Sequence, residues 1–145
     1  MGRLKKSIKT EEKIEGRVEA FAALVVAVVW IDGEISEAES DILVFTLSRM
    51  QIFKSYTHSR IVELINTMLH IIHEKGVDVL VNAAAKSLHP QLRETAFAVC
   101  TDLILADGIV TIEESELLED LEELLNISDE RASMLIEAML IKNRG

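Results

Sequence analysis

The sequence predicts an all-α domain, a compact bundle of about seven helices in two pseudo-twofold-related halves. Three observations carry that expectation. Apolar residues recur at helical spacing, most cleanly over Ile61–Ile72 and Leu117–Leu125. One proline and six glycines in 145 residues leave little room for extended loops, and 4% aromatics point to a core of Leu, Ile, Val, Ala and Met. A corner pattern, Asp-Gly-x-[Ile/Val]-[Ser/Thr]-x-x-Glu, occurs twice, at Asp32–Glu39 and at Asp107–Glu114, 75 positions apart.

Residues 1–9 are basic and read as a disordered tail, and residues 10–145 as one domain. Thr10, followed by Glu11 and Glu12, can cap a first helix that ends near Ile31. That helix is apolar on every side from Ala20 to Val29, which places it at the centre of the bundle. A second helix is expected from about Glu37 to Met50, with Ile42, Leu43, Phe45, Thr46 and Leu47 turned inward. Thr57 can cap a third, over His58–Glu74, which Gly76 ends. A fourth covers Val77–Ser87, with Val81, Ala84 and Ala85 packing inward. His89-Pro90 breaks the chain and starts a fifth helix, Pro90–Ala106, because proline suits the first helical position. A sixth carries Leu117, Leu118, Leu121, Leu124 and Leu125 as one stripe, opposite a face of Glu and Asp. Ser128 can cap the last helix, with Met134, Leu135, Ala138 and Met139 inside.

The corners have their own chemistry. Gly33 and Gly108 stand where a helix ends on a left-handed residue. Ser36 and Thr111 can cap the next helix, and Glu39 and Glu114 three positions on complete a capping box. Asp32 and Asp107 are harder to place, since an acid at a helix C-terminus opposes the dipole by about 0.3–1 kcal/mol. Two compensations fit: bonds from Asp to the amides opening the next helix, or a hard divalent cation (Ca²⁺, Mg²⁺ or Mn²⁺) held by Asp32, Glu39, Asp107 and Glu114 with backbone carbonyls. The pattern matches the second half of an EF-hand loop. Its first half fails, because the first and third ligand positions fall on Val28 and Trp30, and on Leu103 and Leu105.

The repetition extends beyond the corners. At the same offset of 75, Glu19 meets Glu94, Ala23 meets Ala98, Ile42-Leu43 meets Leu117-Leu118, and Met50-Gln51-Ile52 meets Leu125-Asn126-Ile127. The expectation is an internal duplication, with halves at about 14–75 and 89–145 and both corners at one end of the bundle. Over roughly residues 15–140, the doubled corner after an apolar helix resembles the TerB-like (tellurite resistance protein B) family. The resemblance implies a bacterial, cytoplasmic, all-α module linked to resistance to tellurite and other stress. It also implies no enzymatic activity and metal binding at the acidic corners, here Asp32, Glu39, Asp107 and Glu114. The two copies depart from one another at Glu34 against Ile109 and at Ala38 against Glu113.

Composition narrows the function classes. The net charge is −10, but residues 1–17 carry six bases and three acids, while residues 94–130 carry twelve acids and no Lys or Arg. Such a body repels nucleic acid. The basic N-terminal segment could touch an acidic partner or an anionic membrane surface. The apolar run Phe21–Ile31 has 11 residues, short of the roughly 20 a membrane helix needs, so no stable insertion is expected. No signal peptide is evident, and the sole cysteine, Cys100, admits no intrachain disulfide. A cytoplasmic location follows as the expectation. His70 and His73 share a helix face but lack a third ligand, and Cys100 sits in an apolar helix as a packing residue. No phosphate-binding glycine loop or nucleophile–base set is present. The expected function is a non-enzymatic binding module with a partner protein. The alternatives are a metal-assisted enzyme built on the same acids and a structural oligomerisation module.

Overall fold

A computed structural model describes residues 16–145, apart from Asp32 and Asp107 and the side chain of Arg17. The basic segment 1–9, the Thr10 cap and the two corner aspartates therefore lie outside the described residues. The rest is helical: α1 (Arg17–Trp30), α2 (Glu37–Ser48), α3 (His58–Lys75), α4 (Val77–Ser87), α5 (Arg93–Leu105), α6 (Ile112–Leu124) and α7 (Asp129–Lys142). Two short 3₁₀ turns, Gln51–Phe53 and Pro90–Leu92, join α2 to α3 and α4 to α5.

The uniformly apolar helix is the hub. Ala20 to Val28 are all buried, and α1 packs against α2, α3, α4 and α5. Its partner α5 buries Ala96, Phe97, Cys100, Thr101 and Ile104, and packs against α1, α6 and α7. Thr101 adds no unsatisfied polar group to this core, since its hydroxyl donates to the Phe97 carbonyl at 2.8 Å. Each fully buried Leu, Ile or Phe here contributes roughly 1.5–3 kcal/mol of transfer free energy. An edge-on aromatic chain, Phe21–Phe53–Tyr56, with centroids 6.4 and 5.2 Å apart, seals one end.

Side-chain caps set the helix starts. Thr57 accepts from the Arg60 amide at 3.1 Å, and Ser128 accepts from the Arg131 amide at 3.2 Å. The helix α6 ends in a Schellman turn. Asn126 takes φ 58°, and the Ile127 amide reaches back to the Glu122 carbonyl at 2.9 Å.

Several inward faces expected from the sequence are turned out. In α2 only Leu43 and Leu47 are buried, while Ile42 and Phe45 are 50% and 63% exposed. The reason is that α2 packs mainly against α1 and α3, so a narrow stripe suffices to cover its contact. The Phe45 ring is flanked by the Arg49 guanidinium, 5.3 Å from its centroid. In α7 Met134 and Ala138 are exposed, and Ala132 is the buried residue. In α6 Leu117 and Leu121 are buried, followed by Leu125 at the cap, whereas Leu124 is exposed. Among the described residues no helix is long and apolar enough to cross a membrane.

Candidate site where the two corners meet

Both corners adopt the same local structure. Gly33 and Gly108 have φ 105° and 80°, a region a side chain would strain. Their amides close the preceding helices onto the Trp30 and Leu105 carbonyls, at 2.6 and 3.0 Å. The incoming helix thus runs to the motif instead of opening into a cation-binding loop, as the apolar Val28 and Leu103 require. Each outgoing helix starts with a complete capping box. The Ser36 hydroxyl accepts from the Glu39 amide at 3.1 Å, and Glu39 Oε1 accepts from the Ser36 amide at 2.9 Å. The Thr111 hydroxyl accepts from the Glu114 amide at 3.1 Å, and Glu114 Oε1 accepts from the Thr111 amide at 3.0 Å.

The two corners converge. A single cavity of about 240 Å³ is lined by Glu39 and Glu114 together with Val28, Val29, Leu103 and Ile104. These six residues form three pairs, each separated by 75 positions: Val28 with Leu103, Val29 with Ile104, Glu39 with Glu114. The C-terminal turns of α1 and α5 make the apolar floor, and the capping glutamates of α2 and α6 supply the charge. Ile42 and Ala106 complete the lining, so among the described residues no Lys or Arg neutralises the pair. The first turns of α1 and α5 carry a second recurrence. Glu19 Oε2 accepts from the Tyr56 hydroxyl at 2.8 Å, and Glu94 accepts two bonds from the Arg131 guanidinium, both at 2.8 Å; each tie spans 37 positions. The Arg131 hydrogen bonds hold Glu94 below the usual carboxylate range.

The described residues of the corners do not by themselves make a cation cage. Glu39 and Glu114 each commit one oxygen to a cap, and Asp32 and Asp107 lie outside the described residues. Among the described residues no group of three or more Asp, Glu, His or Cys side chains is arranged to hold a metal, against the roughly six to eight oxygens a bound Ca²⁺ takes. Two histidines have packing or capping roles. The His73 ring meets Trp30 edge-on at 5.1 Å, and His89 Nδ1 accepts from the Gln91 amide at 3.0 Å. Cys100 is fully buried, its sulfur 3.8 Å from the Leu24 carbonyl, and burial pushes its thiol up to about 12, so it is no nucleophile.

A larger hollow, about 470 Å³, lies between α4 and α6. Its polar wall holds Asp78, Glu113, Glu116, Asp120 and Glu123; its apolar floor holds Ile31, Val77, Val81, Leu117 and Leu124. The acidic side of α6 was visible in the sequence, but its pairing with Asp78 and with an apolar strip on α4 was not. The acid-rich surface continues at the end of α6, where Glu122 shares a hydrogen bond with Asp129 that raises its carboxyl above the usual range. No protein-family model, curated protein or solved structure matches this chain.

Proposed function

We propose that the chain is a non-enzymatic, TerB-like binding module whose two acidic corners act as one seat for a divalent cation, and that the loaded module engages a partner protein in a stress response. The two halves are read as descendants of one duplicated helix–corner–helix unit. A single observation carries the reading: Glu39 and Glu114, far apart in sequence, line one cavity over a floor of residues paired at the same offset. Their capping bonds hold each carboxylate in place before any ligand arrives, and each retains a second oxygen for a cation. Asp32 and Asp107 are the further oxygen donors of the proposed seat. A cation between the carboxylates would relieve the like-charge repulsion that now opposes the approach of the two corners.

The test is thermal melting of metal-stripped protein with millimolar Ca²⁺, Mg²⁺ or Mn²⁺. At 100 times its dissociation constant a cation stabilises by about 2.7 kcal/mol, a rise in Tm of several degrees. Glutamine can serve in a capping box as glutamate does. The pair Glu39→Gln, Glu114→Gln therefore removes charge while leaving the caps, and should abolish the cation shift without lowering the metal-free Tm. No shift in the unsubstituted protein would leave the corners as helix caps alone.

A further inference from the structure

We propose that the hollow between α4 and α6 is a docking groove for a basic amphipathic helix of a partner protein. The inference deepens the binding-module reading and rests on it, but not on cation binding. Three features define the occupant. The groove floor is apolar, and it includes Leu124, which is 39% exposed in a helix whose Leu117 and Leu121 are buried. The wall carries five carboxylates, and among the described residues no Lys or Arg lines it. The lining along α6 runs from Glu113 to Leu124, about 16 Å or three helical turns.

An apolar strip of that length between two helices, bordered by one sign of charge, fits a helix lying in a groove with its apolar face down. Leucine-like side chains at helical spacing would cover Val81, Leu117 and Leu124. Lysines or arginines flanking that stripe would meet Glu116, Asp120 and Asp78. The same charge excludes nucleic acid and anionic lipid as occupants. Counter-charges from the partner would also relieve α6, which has no Lys or Arg of its own.

The probe is a fluorescein-labelled peptide of leucine and lysine, about four turns long, with leucines at i, i+3, i+4 and i+7. Binding is read by anisotropy against the full chain in the presence of chelator, so the result speaks of the groove and the melting experiment speaks of the corners. Controls are a peptide of the same composition with the stripe scrambled, and one with glutamate in place of lysine. The striped peptide should bind about ten-fold tighter than the scrambled one, and the acidic one should not bind. Glu116→Lys with Asp120→Lys should weaken it about ten-fold or more, and Leu124→Gln should weaken it measurably. Glu130→Lys with Glu137→Lys, the same charge change at exposed positions off the groove, should have little effect.

Equal binding of striped and scrambled peptides, or equal loss in both charge variants, would overturn the proposal in favour of unspecific charge attraction. Binding that appears only after Lys5, Lys6 and Lys9 are changed to Glu would overturn it in favour of the chain's own N-terminal segment. Concentration-dependent dimers that the peptide disperses would overturn it in favour of a second copy.

Discussion

Replacing Thr111 by alanine tests the corner at its simplest point. The substitution deletes the oxygen that accepts from the Glu114 amide at 3.1 Å and leaves the reciprocal bond, Thr111 amide to Glu114 Oε1 at 3.0 Å, with a less restrained partner. The freed amide is at an exposed site, so water replaces much of the lost bond. The cost should therefore lie near the middle of the range for such caps, about 1 kcal/mol rather than 2. For a chain of this size that lowers Tm by about 2–4 °C. Thr111→Ser keeps the oxygen and should leave Tm unchanged. Glu114→Gln keeps an acceptor for the Thr111 amide and should also be close to neutral. Calorimetry of the three variants in chelator decides the matter. If Thr111→Ala left Tm untouched while Glu114→Gln lowered it by several degrees, the carboxylate charge and not the cap would be organising the corner, and the geometric argument would be wrong.

Other perturbations follow the same logic. Phe97→Ala empties a fully buried site in α5 and should cost about 3–5 kcal/mol in urea titrations, with an unchanged dependence on denaturant. Glu122 has a raised carboxyl because of its bond to Asp129, so its contribution is fully present below its unfolded pKa and is lost as pH rises through the folded value. Glu122→Gln should therefore be more stable than the parent near pH 7 and should gain less on acidification, a difference read from melts across pH 4 to 7. The buried Cys100 thiol should react with a thiol reagent only at the rate of global unfolding, and should become fully reactive in denaturant.

The helices and their caps were legible because they are local. Ser36, Thr57, Thr111 and Ser128 each cap within three residues, and the all-round apolarity of Ala20–Val28 leaves no orientation for that helix but a central one. Which side of an amphipathic helix is covered was less legible, because it depends on neighbours distant in sequence. Phe45 and Met134 are apolar in sequence yet exposed, since α2 and α7 each lie against few partners. The offset of 75 holds through the corners but not to the last cap. Thr57 and Ser128 are 71 apart, because the 3₁₀ turn at Gln51–Phe53 occupies the place where Asn126 turns the chain in a single left-handed residue. The convergence of Glu39 and Glu114 was foreseen only through an assumed twofold relation, and the groove between α4 and α6 needed the fold itself, since no spacing brings Asp78 near Glu116.

One seat shared by the two corners, as proposed, and two separate seats differ in stoichiometry. Equilibrium titration of the metal-stripped chain with Mn²⁺, reading free Mn²⁺ by its paramagnetic resonance signal, tests this directly. A shared seat gives about one ion per chain, with Glu39→Gln and Glu114→Gln each weakening that same ion. Two independent ions, each removed by only one of the substitutions, would contradict a shared seat, and the absence of binding at millimolar Mn²⁺ would contradict the seat altogether.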